Sequence, residues 1–287
     1  MTQEIALLTR SGFDIQAAVL VGNAAELAYE DDGTVIANWA RNKGFTSATA
    51  FNRGNIQGFW AISDNVALLA FRGTSNIGQW IRDARLLPTS HPWGPVHSGF
   101  SGGIQQVNTD LQPFEEAAKK VEHVSVTGHS LGGALAVLAS ARLKEQGMNP
   151  LVYTYGQPRV GLAAFAERYD TELPDRLWRF INQNDIVPRV PPGLLYRHCG
   201  TVKRIVRPGV LEAMGLNEAT APELENSDLP PLTEEECNAL LNQLDEAAEP
   251  SSLEGVQLES RLTSLFSDHS MLAYLRLLKE IRDQEQE

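Results

Sequence analysis

Hydrophobic positions along this chain change period, and each change marks a change of element. Up to residue 44 the apolar residues recur at helical spacing. Ser11 to Tyr29 places Ile15, Ala18 and Val19 on one face, and Asp31 to Asn42 reads as a second helix, capped by Asp32 or Thr34 and stopped by Gly44. Three short strand-like runs follow, Ser47 to Phe51, Gly58 to Ile62 and Val66 to Phe71. Asn52-Arg-Gly-Asn55 and Ser63-Asp-Asn65 are turn material between them, and turns this short imply an antiparallel meander. Then the order alternates. A helix around Gln105 to Val121 precedes a strand, His123 to Thr127. An Ala- and Leu-rich helix runs from Leu131 to about Lys144, and Leu151 to Tyr155 is a strand. Gly161 to Tyr169 reads as helix and Arg176 to Ile181 as strand. Strands alternating with helices predict a parallel sheet with right-handed crossovers. The expected fold class is therefore α/β, with a mixed central sheet, antiparallel early and parallel late, flanked by helices. No internal repeat is visible.

This order breaks after Arg204-Ile-Val206, which looks like the end of a strand. Pro208 onward is loop-like, with Pro222, Pro230, Pro231 and Pro250. Thr233-Glu-Glu-Glu236 is a capping box, and Cys237, Leu240, Leu241 and Leu244 follow it at helical spacing. The net charge is −12, and Pro208 to Ser260 holds 13 of the 36 acidic residues and none of the 24 basic ones. The rest of the chain is thus nearly neutral. Residues 208–262 read as an acidic, partly helical insertion, a helical hairpin or cap on the surface. Its charge is a solvated face in the simplest reading, with a regulatory or lid role as the alternative. No basic stripe is evident, which argues against a nucleic-acid partner.

A chain of 287 residues at 43% hydrophobic can bury a sizeable core, and residues 1–287 are read as a single domain. No apolar run reaches the roughly 18 residues of a transmembrane segment. The N-terminus lacks a basic start followed by an apolar stretch, so no signal peptide is expected; localisation stays open between the cytoplasm and export after signal removal. Cys199 and Cys237 form no disulfide framework and no zinc set; two free thiols are expected, with one bridge as the alternative.

The candidate chemistry centres on Gly128-His-Ser-Leu-Gly132, which fits the nucleophile-elbow pattern Gly-x-Ser-x-Gly between a strand and a helix. Glycines two before and two after Ser130 let strand and helix pass close together. The Leu131 amide, first in the helix, points at whatever the serine attacks. A serine nucleophile needs a base and an orienting acid, in the chain order Ser, acid, His. Only His198 and His269 follow Ser130. His269, in Asp268-His-Ser-Met271 directly ahead of an apolar helix with Met271, Tyr274, Leu275 and Leu278, is the expected base. His198 reads as structural. His91, His97, His123 and His129 precede the serine and fit poorly by order. Asp185, just beyond the strand ending at Ile181, is the expected acid, because functional carboxylates in such sheets sit at strand C-terminal ends. Asp170 and Asp175 lie at the wrong end and read as caps or surface charges, and Asp268 is too close in sequence to His269 to converge on it. A second oxyanion donor fits Phe71-Arg-Gly-Thr74, where Gly73 allows close approach and Thr74 offers an amide and a hydroxyl. A plain strand-end turn fits that composition equally well.

Taken together, the motifs resemble those of the fungal-type class 3 triacylglycerol lipase family. The matching pieces are Phe71-Arg-Gly-Thr-Ser75, Trp80-Ile-Arg-Asp83, Val96-His-Ser-Gly-Phe100, Val126-Thr-Gly-His-Ser-Leu-Gly-Gly133, Tyr153-Thr-Tyr-Gly-Gln-Pro-Arg-Val-Gly161, Asn184-Asp-Ile-Val-Pro188 and Asp268-His269. They run in the family's order from about residue 15 to 280. The resemblance implies an α/β-hydrolase with a triad of Ser130, Asp185 and His269, and with Thr74 and Leu131 as oxyanion donors. Asp83 matches an aspartate that supports the oxyanion hydroxyl, and residues 75–95 match a lid. Ile77, Trp80, Ile81 and Ala84 fall on one helical face there, which suits a lid over a greasy cleft, with a fixed surface helix as the alternative. The implied activity is hydrolysis of carboxylic esters, above all triacylglycerols at a lipid–water interface, through an acyl-enzyme and without metal or organic cofactor. The alternatives are an esterase for soluble or aromatic acyl esters (feruloyl esterase-like), a phospholipase A1, and a catalytically silent lipid- or protein-binding scaffold. Unlike the secreted, disulfide-stapled fungal members, this chain has two cysteines.

Overall fold

The structure is a computed structural model and describes residues 2, 4–74, 87–182, 185–191, 195–205, 227–247, 266 and 268–285. Helix α1 (Ile15–Leu27) begins at Asp14, whose side chain accepts the Ala17 amide, and α2 (Gly33–Lys43) begins at Asp32, which accepts the Thr34 amide. Asp32, rather than Thr34, is thus the cap, and Gly44 ends α2 in the left-handed conformation. The meander forms as expected: β1 (Ser47–Arg53), β2 (Ile56–Ile62) and β3 (Val66–Phe71) pair antiparallel.

Two short strands come next, β4 (Pro88–Thr89) and β5 (Val96–His97). The expected helix at 105–121 differs from what forms. The chain instead makes α3 (Ser98–Gln106) and α4 (Asn108–Ala118), separated at the fully buried Val107. The start was hidden because Ser98-Gly-Phe-Ser-Gly-Gly103 carries three weak helix formers. Tertiary contacts override that propensity: Phe100 is fully buried, and the His97 ring caps the helix by accepting the Gly99 amide.

The parallel half follows: β6 (His123–His129), α5 (Leu131–Glu145), β7 (Leu151–Tyr155), β8 (Gly161–Leu162), α6 (Ala163–Glu172) and β9 (Leu177–Asn182). Gly161 begins a two-residue strand rather than the helix expected there. β10 (Tyr196–Arg197) and β11 (Thr201–Ile205) follow, then α7 (Glu234–Ala247) and α8 (Met271–Gln284). The main sheet has the order β1-β2-β3-β6-β7-β9-β11, parallel from β3 onward. A small second sheet, β10-β8-β5-β4, joins strands too short to leave a periodic signal.

Apolar residues pack on both faces of the main sheet. α1, α2 and α8 cover one face, and α3, α4, α5 and α6 cover the other. The register Phe71–Gly128, His129–Tyr155 and Tyr155–Phe180 levels the C-terminal ends of four neighbouring strands. In the acidic insertion the capping box is formed reciprocally: Thr233 N–H donates to Glu236 Oε2 at 2.7 Å, and Glu236 N–H to Thr233 Oγ1 at 3.1 Å. Ile77, Trp80, Ile81 and Asp83 lie outside the described residues.

Candidate active site

Strand β6 ends at His129, and the chain reverses into α5 through Ser130, at φ 56° and ψ −126°. That conformation is uncommon for a residue with a side chain and stores strain at the tip of the turn. Packing enforces it. A Cβ on Gly128 would strike the Gly132 carbonyl, and one on Gly132 would strike the Phe71 carbonyl. The Ser130 amide donates to Tyr155 O at 2.9 Å, which ties the turn to β7. Ser130 is fully buried, and its Oγ has no hydrogen-bond partner among the described residues.

The carboxylate of Asp185 is also fully buried and is completely engaged. Its Oδ1 accepts the Val187 amide at 2.9 Å; its Oδ2 accepts both His269 Nδ1–H and the Tyr274 hydroxyl, each at 2.7 Å. A carboxylate only accepts, so His269 carries its proton on Nδ1 and presents a lone pair on Nε2. That Nε2 is buried and has no hydrogen-bond partner among the described residues. Asn182, the last residue of β9, braces both partners. Its amide donates to Tyr274 Oη at 2.8 Å, and its side chain donates to Asp268 O at 2.8 Å. Gly156, at φ +58° after β7, leaves the room this pair needs. A Cβ there would lie 2.6 Å from Asp185 Oδ2 and 2.8 Å from the His269 ring. On the other side of the serine, a Cβ on Gly73 would lie 3.1 Å from Ser130 Cβ, so the Arg72–Thr74 segment runs directly past Ser130.

The fold thus brings Ser130, Asp185, His269, Gly73 and the α5 N-terminus to one place. His198 is elsewhere. Its Nε2–H donates to Pro188 O at 2.8 Å, and burial together with Arg179 holds the ring well below the usual imidazole range. Asp170 accepts the Gly200 amide, and Asp175 sits in the turn before β9 at φ 54°. Two participants went unread in the sequence. Tyr274 passed as one more apolar position of α8, although a buried tyrosine must place its hydroxyl. His129 was set aside by chain order, yet its ring packs on His269 with centroids 4.6 Å apart.

Beside the Asp185 loop, the segment from Asp228 to Glu236 contacts three arginines. Arg179 Nη2 contacts Asp228 Oδ1 and Oδ2 at 3.0 and 2.9 Å, and Arg159 donates to the Arg189 and Leu229 carbonyls. Arg189 donates to Pro230 O at 3.0 Å and to Glu236 at 2.9 Å. Burial pushes the Arg159 guanidinium down to about 10, against the pull of Asp228. Burial alone would raise the Asp228 carboxyl, but Arg179, His198 and Arg159 outweigh it and hold it below its ordinary value. The Arg179 side chain is 2% exposed and its Nη1 has no hydrogen-bond partner among the described residues, so the contact with Asp228 is its charge balance there. Asp228→Ala is expected to destabilise the fold by about 2 kcal/mol, below the 3–5 kcal/mol of a fully buried pair because Asp228 is 43% exposed. Because the folded value is depressed, this stabilisation holds above the ordinary carboxyl range and disappears as pH falls through the folded value. Urea midpoints of wild type and variant at pH 7 and in acid check this: the gap should close in acid.

Among the described residues no cluster of His, Cys, Asp or Glu suits a metal ion, and no helix is long and apolar enough to cross a membrane. Cys199 and Cys237 are both buried and free.

A serine at the tip of a strand–helix elbow, in a sheet of this order, defines an α/β-hydrolase. Residues 68–194 match the family described as Lipase (class 3). A lipase of Rhizomucor miehei is 40% identical over 153 residues, 48% of this chain and 41% of its own length. The secreted mono- and diacylglycerol lipase 1 of Fusarium solani is 34% identical over 158 residues, 49% of this chain and 45% of its own. The solved Rhizomucor miehei lipase–propeptide complex superposes with a TM-score of 0.52 at 30% identity, covering 72% of this chain and 70% of that one. The chain belongs to the class 3 lipase family. Its matched part spans less than half the length of these two curated relatives.

Proposed function

We propose that this protein hydrolyses carboxylic esters of lipids, with triacylglycerols as the foremost substrates, through an acyl-enzyme on Ser130. The observation that carries the reading is the pair of buried, unpartnered atoms, Ser130 Oγ and His269 Nε2, beside a carboxylate that fixes the tautomer. In such sites the serine–base hydrogen bond tightens as substrate binds. His269 Nε2 takes the serine proton while Oγ attacks the ester carbonyl, and Asp185 stabilises the imidazolium. The amide of Leu131 and the amide and hydroxyl of Thr74 hold the developing oxyanion, each donor contributing about 3 kcal/mol in the transition state. The proton passes to the departing alcohol, and water repeats the two steps on the acyl-enzyme. The two relatives, a lipase and a mono- and diacylglycerol lipase, support glycerides as the substrate class. Ser130 has no exposed surface, so part of the chain over it must move before an ester can enter.

The test is hydrolysis rate against tributyrin concentration, carried through its solubility limit, with Ser130→Ala as control. A serine-dependent jump once droplets form is the expected result. Smooth saturation below the limit would instead identify an esterase of soluble esters. A faster rate on a diacyl phospholipid would identify a phospholipase A1. Absence of serine-dependent turnover, together with no labelling by a serine-directed phosphonate, would overturn the enzyme reading in favour of a silent scaffold.

A further inference from the structure

His129 is the last residue of β6 and is 4% exposed. Its Nε2 is hydrogen-bonded to the backbone carbonyl of His269. A carbonyl only accepts, so Nε2 carries the proton and Nδ1 the lone pair. That Nδ1 lies 2.8 Å from Tyr29 Oη and therefore accepts the tyrosine hydroxyl. The Tyr29 hydroxyl packs directly on Gly73, where an added Cβ would meet it, and the Arg72 guanidinium lies over the Tyr29 ring at 5.3 Å. A directional chain results. Tyr29 donates to His129, and His129 donates to His269. It starts at a hydroxyl packed against the segment that runs past one side of Ser130 and ends on the backbone of the histidine on the other side.

Asp185 holds His269 at Nδ1 alone, and a ring held at one nitrogen can still pivot about it. Where Nε2 points depends on the backbone beneath. Asn182 fixes that backbone at the Asp268 carbonyl and His129 fixes it at the His269 carbonyl. We infer that His129 is a positioning residue, tying the backbone of His269 through Tyr29 to the Arg72–Thr74 segment, so that base and oxyanion donors keep a fixed spacing across Ser130. This rests on the ester-hydrolase reading and deepens it. An imidazole suits the task because it donates from one nitrogen and accepts at the other. Burial, and next the neighbouring His269, hold the ring well below the usual imidazole range, so the chain keeps its direction near neutral pH.

The experiment compares His129→Phe, His129→Gln, Tyr29→Phe and the Tyr29→Phe/His129→Phe double variant on a soluble p-nitrophenyl butyrate substrate. It records kcat, KM and Tm, and all assays run well below the lowest Tm. A misplacement of the base by a fraction of an ångström to 1 Å predicts a loss of about 30–100-fold in kcat for His129→Phe, with KM within about twofold. His129→Gln keeps a donor that reaches the His269 carbonyl and is expected to recover at least about tenfold of that loss. Tyr29→Phe should cost about tenfold, and the double variant should be no worse than His129→Phe, because residues acting as one unit are not additive. The inference is overturned by a kcat for His129→Phe within about threefold of wild type, by a glutamine no better than phenylalanine, or by additive losses in the double variant. Should His129→Phe fail to fold, Tyr29→Phe and His129→Gln decide alone. Tyr29→Phe at wild-type kcat then refutes the relay, as does a glutamine variant that loses 30-fold or more. Ser130→Ala separates the two levels. Residual turnover there removes the ester-hydrolase reading itself, whereas a dead Ser130→Ala beside a fully active His129→Phe removes only the positioning role.

Discussion

Ser130→Ala is expected to lower kcat by about 10⁵- to 10⁶-fold and to leave the protein at least as stable as wild type. The two halves of that expectation have one origin. Ser130 Oγ is buried and has no hydrogen-bond partner among the described residues, so removing it deletes no hydrogen bond to any of them. A buried hydroxyl without a partner is a cost, and its loss is neutral or favourable to the fold. The backbone strain at φ 56° persists, because alanine and serine meet the same Cβ penalty there. The chemistry has no such tolerance, since no other described side chain stands at the elbow tip with an attacking atom. His269→Ala is expected to cost as much, and the Ser130→Ala/His269→Ala double variant no more, because nucleophile and base act as one unit. Turnover of a soluble ester, measured beside thermal denaturation, checks both halves. Retained turnover would remove the serine mechanism. A large fall in Tm with loss of turnover would make Ser130 a structural residue.

The sequence was most legible where a local pattern carries its own physics. The meander shows in three strand-like runs joined by short turns, the elbow shows in two glycines at fixed offsets, and chain order left two histidines of which the one in the loop before α8 was the better placed. Legibility failed where a residue's role is set by something far away in the chain. His129 earns its place through Tyr29 and His269, which lie 100 and 140 residues from it, and no local spacing encodes that. Tyr274 sits in an apolar helical stripe, and only its hydroxyl, aimed at Asp185, distinguishes it from a core aromatic. Helix α3 was hidden by its glycines because burial, not propensity, stabilises it. The acidic insertion read as a solvated face; Asp228 instead balances a buried arginine from β9. Excising Pro208 to Ser260 to test the insertion would therefore confound access with stability. An excision that keeps residues 227–247 leaves the arginine contacts in place.

Asp185→Asn is expected to lower kcat/KM by about 10³- to 10⁴-fold, second only to loss of the nucleophile or base. Asparagine has nearly the shape of aspartate, so the argument turns on charge and on which end of the amide faces which donor. Three donors converge on the native carboxylate: the Val187 amide at Oδ1, and His269 Nδ1–H and the Tyr274 hydroxyl at Oδ2. With the amide nitrogen in the Oδ2 position, two donors face a donor, and His269 must shift its proton to Nε2, which disables the base. With the nitrogen in the Oδ1 position only the Val187 amide is opposed. Each opposed buried donor costs about 1–3 kcal/mol, so the second orientation is favoured by roughly one such penalty. Tyr274 thus biases the variant toward keeping the productive tautomer, and the remaining loss is that of the negative charge opposite the imidazolium. Tm should also fall, since the Val187 amide loses its acceptor in a fully buried setting. Measuring kcat/KM and Tm for Asp185→Asn beside His198→Ala is decisive. A loss under tenfold for Asp185→Asn, or a larger loss for His198→Ala, would place the orienting acid elsewhere. A loss near the upper bound would mean that the bias from one tyrosine hydroxyl is too weak to hold the tautomer against a neutral partner.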